Sequence, residues 1–483
     1  MSILRDCFAV RPVTEADLKG SGKLKKVLTA WSLTAIGLGA TIGTGVFVLT
    51  GQVAANQAGP AITISLLVAA FGSALAALCY AELASFLPVP GSAYSYTYAT
   101  LGEVTAWLIG WNLLLEYGMS ASAVAVSWSA YVVNLMDEWG INFLPQALTN
   151  APLQAVNDHI RTTGAFFNLP AAAIVAAMSV ICYVGMRETA GVNTAMVSLK
   201  VLIIVVFIVA GIAYIDTANW HPYIPKNTGT FGHFGWTGVL QGAGIIFFSY
   251  VGFDTASTTA LEARNPQRDL PIGIIGALVI SVLLYVGMST VLTGMVPYTQ
   301  LGVDAPVAVA LDAHPQLNQI GMGVFVKIGA IVGMTSVILG SLLGQPRILL
   351  AMADDGLLPP AIARVHPKHR TPHVATVVSG VIFAIVAGVF PLDILADLIS
   401  IGVLLAFVVV CLGVLVLRRT RPDVPRPFRV PFAPVTCVLG ALFCGGMTYF
   451  LSNGTWWRLL FWTLLGIAIY GLYGHKHSKL RKR

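Results

Sequence analysis

The sequence predicts an all-α polytopic membrane protein with 12 transmembrane helices, on three observations. Hydrophobic residues make up 56% of the 483-residue chain and charged residues only 10%, against about 25% charged in an ordinary soluble domain. So few charges cannot build a water-facing surface. Long apolar runs recur along the chain, each able to supply the roughly 20 residues that one crossing needs. Two of these runs, five spans apart, are rich in glycine where a membrane helix is costliest to weaken.

The spans are expected at roughly 31–55, 61–87, 94–135, 168–186, 192–215, 235–260, 271–296, 320–351, 374–390, 393–417, 432–451 and 455–474. The ninth is marginal in length. The third and eighth are long, and either tilt or end in interfacial turns. The first thirty residues carry six Lys or Arg and no continuous apolar run of the signal-peptide kind, so the first span is expected to stay in the membrane. The longest polar excursion, 136–167, is expected to hold short surface helices.

Orientation follows from the basic residues. With a cytoplasmic N-terminus, inside segments hold 23 of the 28 Lys and Arg, whereas outside segments hold only Arg161, Lys226 and Arg458. The inside set includes Arg187, Arg264, Arg268, Arg347, Arg364, Lys368, Arg370, the run from Arg418 to Arg429, and the tail from Lys476 to Arg483. The opposite topology would violate the positive-inside rule at nearly every loop. A net charge of +7 therefore points to anionic lipid at juxtamembrane segments and not to nucleic acid. Cys7, Cys79, Cys182, Cys411, Cys437 and Cys444 are dispersed, mostly in apolar runs, with no C-x-x-C pair. They read as small buried hydrophobes, with neither a disulfide scaffold nor a metal site expected.

Residues 36–47 read IGLGATIGTGVF. Glycines at Gly39 and Gly43, with Gly45 and Gly51 nearby, fit two structures: close helix packing, or a discontinuous helix whose freed N–H and C=O groups face a cavity or a ligand. A dinucleotide fingerprint would need a soluble βαβ unit, and a phosphate loop would need Gly-Lys-Ser or Gly-Lys-Thr; both are missing. A second run, GAGIIFFSYVGFD at 242–254, lies in the sixth span. Two inverted five-helix repeats would put the two runs in corresponding positions, which favours a pair of breaks that bind substrate. Glycine suits such a site because backbone can approach a ligand without a side chain between them.

With IGTGVF in the first span, FFSYVGFD in the sixth and LEARNPQRDLPIGI after it, the chain resembles the amino acid–polyamine–organocation transporters, in particular bacterial relatives of cationic amino acid transporters. The resemblance covers essentially the whole chain. It implies a five-plus-five inverted repeat of the LeuT-like kind, with discontinuous helices 1 and 6 and two added helices. The corresponding units are a cytoplasmic N-terminal segment 1–30, repeats 31–215 and 235–417, two further helices 432–474, and a basic cytoplasmic tail 475–483. It also implies amino acid uptake across the plasma (inner) membrane by alternating access. Ile42, Gly43, Thr44 and Gly45 would hold the substrate α-carboxylate; Phe247, Ser249 and the backbone around Tyr250 would take the α-ammonium.

Lys200 lies about nine residues past Gly191, or ~14 Å deep at 1.5 Å per residue, where an unpaired charge is costly. The resemblance implies a proton-coupling lysine standing in for the sodium ion of sodium-coupled relatives. The alternatives are a lysine permanently bonded to first-span carbonyls, or one snorkelling to the interface. Glu116, in the third span, either attracts the charged side chain of lysine or arginine or fixes helix contacts as a protonated or hydrogen-bonded group. Lys327 is expected to snorkel to the outer interface. Met322 is either a limit on substrate size, since the eighth helix of related transporters contributes to the side-chain pocket, or helical filler. Glu82 and Asp254 are candidates for an intracellular gate or ordinary interfacial charges, and Glu262, Arg264 and Arg268 for a cytoplasmic hinge network. Trp220, Tyr223, Trp456 and Trp457 read as interfacial anchors. His366, His369 and His373 lack a nearby Cys or clustered carboxylate and do not read as a metal site.

No nucleophile–base pair at cavity depth points to an enzyme, and no cofactor is expected. A channel would favour a continuous polar pore, whereas these polar groups gather at two breaks. The reading is a secondary transporter, proton-coupled, for small neutral or cationic L-amino acids, with an exchanger or a transporter-fold sensor as alternatives.

Overall fold

The computed structural model describes residues 10, 28–87, 92–141, 144–156, 159–184, 190–260, 263–319, 321–369 and 371–481. Cys7, Arg187, Glu262, Arg370 and nearly all of the N-terminal segment 1–30 lie outside the described residues. Apolar runs fold as helices because a helix satisfies its own backbone where water is absent. In chain order these are α1 (Ala30–Thr41), α2 (Ile62–Phe86), α3 (Ser92–Thr100), α4 (Glu103–Glu138), α5 (Leu169–Val184), α6 (Ala190–Ile212) and α7 (Gly235–Ile246). They continue as α8 (Pro266–Met295), α9 (Met322–Asp354), α10 (His373–Val389), α11 (Leu392–Thr420), α12 (Ala433–Met447) and α13 (Asn453–Ile469).

Among the described residues, nine helical segments are long and apolar enough to cross a membrane, and the shorter apolar α5 and α10 accompany them. One of the nine runs from Gly45 to Phe86, 42 residues, and is interrupted at Gly59, where φ is +63° and Pro60 follows. The third expected span divides into α3 and α4 at Gly102, whose φ of +96° favours glycine. The eighth is one helix of 33 residues containing Pro346; at ~50 Å it exceeds a ~30 Å hydrocarbon core.

Packing places the core between two groups of helices. α8 runs along α1 and α2, α9 along α4, and α6 lies against both α1 and α9. α11 packs on α4, α2 and α12, while α5 and α10 pair at the side. The all-α expectation needs one amendment. Within 136–167 the chain forms a 3₁₀ turn, Gln146–Leu148, and a two-stranded antiparallel ribbon instead of surface helices: β1 (Leu153–Val156) pairs with β2 (His159–Thr162), Leu153 opposite Thr162. Val156, Ile160 and Thr162 are β-branched, a type that favours strands.

The basic tail is docked. Glu103, fully buried at the start of α4, accepts hydrogen bonds from Tyr98 (3.1 Å), Tyr470 (2.7 Å), Arg481 Nε (3.2 Å) and the Ser478 hydroxyl. The Lys479 amide donates to the Asp355 carbonyl at 3.0 Å. Arg481, expected at anionic lipid with the rest of the tail, is therefore held by a carboxylate of the protein itself.

Candidate functional site

The site begins where two helices stop. α1 ends at Thr41; Ile42 leaves the helix with ψ of 103°, and the chain re-enters helix through a wide turn at Gly45–Leu49. α7 ends at Ile246, tightens into a 3₁₀ turn at Phe247–Tyr250, becomes extended at Val251, passes Gly252 at φ +118°, and resumes at Thr255–Thr258. Both interruptions fall in the glycine-rich runs.

Breaking a helix in an apolar core frees carbonyls that must find donors. Lys200 Nζ donates to the carbonyls of Gly39 (2.8 Å) and Ile42 (3.1 Å). Tyr285 donates to Thr41 O (2.8 Å) and Tyr131 to Phe47 O (2.9 Å). In the second break, the Ser400 hydroxyl donates to Ile245 O at 3.0 Å and accepts from the Phe248 amide at 3.2 Å. Each break is thus held by side chains from helices distant in sequence.

The two breaks touch. A Cβ on Gly45 would collide with Ser249, and one on Gly252 would lie 2.7 Å from the carbonyl carbon of Ala40. Only glycine allows these backbones to come so close. Around this contact is a cavity lined by Thr41, Gly43, Thr44 and Gly45 from the first break and by Phe248, Ser249, Val251 and Gly252 from the second. α4 adds Glu116, Ser120 and Val124, and α9 adds Val337, Gly340 and Ser341. The Ser120 and Ser249 hydroxyls are buried with no hydrogen-bond partner among the described residues. Burying such a hydroxyl without a partner is unfavourable, and a polar group in the cavity would relieve it. Asp254 lines it too, accepting from Ser92 (3.0 Å) and Tyr117 (3.4 Å). At the first break the amides of Gly43, Thr44 and Gly45 open a helical segment, where N–H groups are without intrahelical acceptors and attract anions.

Of the residues singled out in the sequence, Gly43, Thr44, Gly45, Ser249, Glu116 and Asp254 meet at this cavity. Ile42 contributes its carbonyl to Lys200 and does not line it. Phe247 turns its ring to Phe407, and Tyr250 donates to Leu66 O at 3.0 Å beside Tyr285; neither ring lines the cavity. Met322 is displaced from its expected place. It is the first residue of α9, fifteen positions before Val337 and therefore ~22 Å along the axis. Small residues, Gly340 and Ser341, stand at the cavity instead.

Lys327 meets two carboxylates at helix ends. It is 1% exposed, with Nζ 2.9 Å from Glu138 and 3.2 Å from Asp312. Those carboxylates, at the end of α4 and of the short helix Pro306–Asp312, make burial of the ammonium tolerable. Glu82 lies apart from Asp254. Fully buried, it receives Arg418 Nε (2.9 Å) and Nη2 (2.5 Å) together with the Val430 amide (2.7 Å), and Arg426 stands 3.6 Å away. The Arg264 amide donates to Leu28 O at 2.9 Å. His366, His369 and His373 cluster around the Tyr183 ring, and no metal-holding group occurs among the described residues. Cys79 and Cys437 lie buried with sulfurs 3.6 Å apart and are free thiols.

Tyr131, Tyr285, Ser400 and Ser120 escaped the sequence reading. The available signal was faint: a hydroxyl within an apolar span needs a partner, but sequence does not say whether that partner is its own helix, another helix or a ligand.

Residues 28–470 match the amino acid permease family. Over 468 residues, 97% of each chain, the protein is 45% identical to the branched-chain amino acid permease BcaP of Bacillus subtilis (strain 168). It is 42% identical over 476 residues to the methylthioribose transporter of the same organism, covering 98% of this chain and 99% of that one. It is 40% identical over 406 residues to the vacuolar cationic amino acid transporter 4 of Arabidopsis thaliana, covering 84% of this chain and 65% of the plant protein.

Proposed function

The chain belongs to the amino acid permease family, within the amino acid–polyamine–organocation superfamily, and from that premise we propose that it imports small neutral and cationic L-amino acids across the plasma (inner) membrane by proton-coupled alternating access. The observation that carries this reading is the contact of two interrupted helices around a cavity with unpartnered hydroxyls. An amino acid presents a carboxylate and an ammonium on one carbon. The amides of Gly43, Thr44 and Gly45 would hold the carboxylate, as at other helix N-termini. Ser249 and the open backbone from Phe248 to Gly252 would take the ammonium, since free carbonyls at such breaks accept cations.

The substrate side chain would then extend between α4 and α9. Val124 and Val337 offer it apolar contact, whereas Glu116 offers a carboxylate to a cationic end. Similar relatives are named for branched-chain amino acids and for cationic ones, and this pocket has features for both. Twelve spans in a five-plus-five inverted repeat, with both termini cytoplasmic, complete the proposal. The two interrupted helices are the corresponding first members of each repeat.

Lys200 is the proposed coupling group. Its ammonium ties two carbonyls at the end of α1, a position where a cation satisfies the negative end of a helix. Loss of its proton would remove the charge from that tie and free the inner half of the first span to move. Proteoliposome uptake tests this. Lys200→Ala should still bind substrate but lose acceleration by an imposed pH gradient; uptake that remains gradient-driven in the variant would remove Lys200 from the coupling role.

A further inference from the structure

The sixth-span break coincides with a side chain inserted into its backbone ladder. In an unbroken helix the Phe248 amide would bond a carbonyl of the preceding turn. Here it donates at 3.2 Å to the Ser400 hydroxyl, which in turn donates at 3.0 Å to the Ile245 carbonyl. One oxygen with one proton thus occupies a donor and an acceptor from two successive rungs of the ladder, the Phe248 amide that would otherwise bond Gly244 O and the Ile245 carbonyl that would otherwise accept from the Ser249 amide, and a side chain inserted in this way is a recognised cause of a sharp helix break. Ser400 is fully buried near the start of α11, eight residues after Leu392, so no water competes for these two bonds. Directly beyond the insertion lies Ser249, whose hydroxyl is buried, unpartnered among the described residues, and at the cavity.

We propose that Ser400 is a positioning residue for substrate binding: its hydroxyl is a wedge from α11 that holds the sixth-span helix open and so presents Ser249 and the Val251–Gly252 backbone to the cavity. This rests on the reading that the cavity between the breaks is the substrate site. Glycine makes the interruption tolerable, but the inserted hydroxyl sets its place. Without the wedge, the Phe248 and Ser249 amides are free to bond the carbonyls of Gly244 and Ile245 in regular α-helical register, which rotates Ser249 away from Gly45 and out of the cavity. The wedge also links two elements. A shift of α11 relative to the sixth span would withdraw the hydroxyl and dismantle one wall of the site.

Three forms of the full chain test this: wild type, Ser400→Ala and Ser400→Thr, the last retaining a hydroxyl. Uptake of radiolabelled leucine and arginine in proteoliposomes should show KM raised about ten-fold or more in Ser400→Ala, the size expected when one buried bridged pair is lost. Its maximal rate should stay within about two-fold of wild type, and Ser400→Thr should restore KM. Hydrogen exchange at residues 245–251 should slow in Ser400→Ala as the ladder closes, which a loss of general stability would not produce. Unchanged KM and unchanged exchange in a folded Ser400→Ala protein would overturn the proposal. So would equal impairment of the alanine and threonine variants. If the alanine variant does not fold, Ser400→Cys, a weaker donor and acceptor, takes its place with the same readouts. Failure of wild type to bind either amino acid would instead refute the proposed function.

Discussion

Lys327, Glu82, Lys200 and Glu116, four of the buried charged side chains, stand in different surroundings. Lys327 has two carboxylates, Glu82 has two guanidinium groups, and Lys200, among the described residues, has backbone carbonyls. Glu116 faces the cavity. A buried charge with a complete set of counter-charges is a fixture, since removing either partner strands the other. A carboxylate at a cavity is free to meet a charge that arrives and leaves. Glu116→Gln is therefore expected to weaken arginine and lysine binding about ten-fold more than leucine binding, measured by scintillation proximity with each amino acid as competitor. Equal losses for all three would leave Glu116 only a part in helix packing.

At the scale of the element, the breaks and the wall opposite them respond differently to added volume. A methyl group on Gly45 enters the space of Ser249, whereas one on Gly43 meets Val337 Cγ2 at 3.1 Å, a contact that a small rotation of the valine relieves. Gly45→Ala should thus abolish binding in a folded protein, and Gly43→Ala should cost only a few-fold. On α9, a Cβ at Gly340 meets nothing within 4 Å, so a larger side chain there projects without strain. Gly340→Met is expected to exclude leucine and arginine while sparing alanine, and Met322→Ala to alter none of the three. Competition binding with those amino acids measures both, and a selectivity change in Met322→Ala would contradict the distance along α9.

Across the whole molecule, buried polar knots fasten segments far apart in sequence. Glu82 joins α2 to the end of α11 and to the chain leading into α12; Glu103 joins α4 to the C-terminal tail. In an apolar bundle surrounded by lipid, helix association draws little from hydrophobicity, so such bonds and close packing carry more of the specificity. Glu82→Gln leaves Arg418 and the nearly buried Arg426 facing a neutral amide. The expected loss is about 3 kcal/mol, read as a lower melting temperature in detergent with substrate affinity preserved. A variant as stable as wild type that has lost binding would instead make Glu82 part of the transport machinery.

The sequence by itself determined that this chain lives in a membrane, which segments are helical, and where two helices give way. Composition, span length and glycine spacing are local properties, and lipid leaves the backbone few alternatives. It also singled out Glu116, Asp254 and Lys200, because charges are conspicuous against an apolar background, and Ser249 through the family resemblance. Tertiary structure decided what each of these groups faces. Ser400 and Tyr285 became donors to broken backbone, Lys327 met two carboxylates, and Met322 fell a long way along its helix from the cavity. A strand pair formed where helices were expected. The reason is geometric: Lys200, Tyr285 and Ser400 lie 161, 244 and 155 residues from the carbonyls of Gly39, Thr41 and Ile245 that they meet, and only packing brings them within about 3 Å.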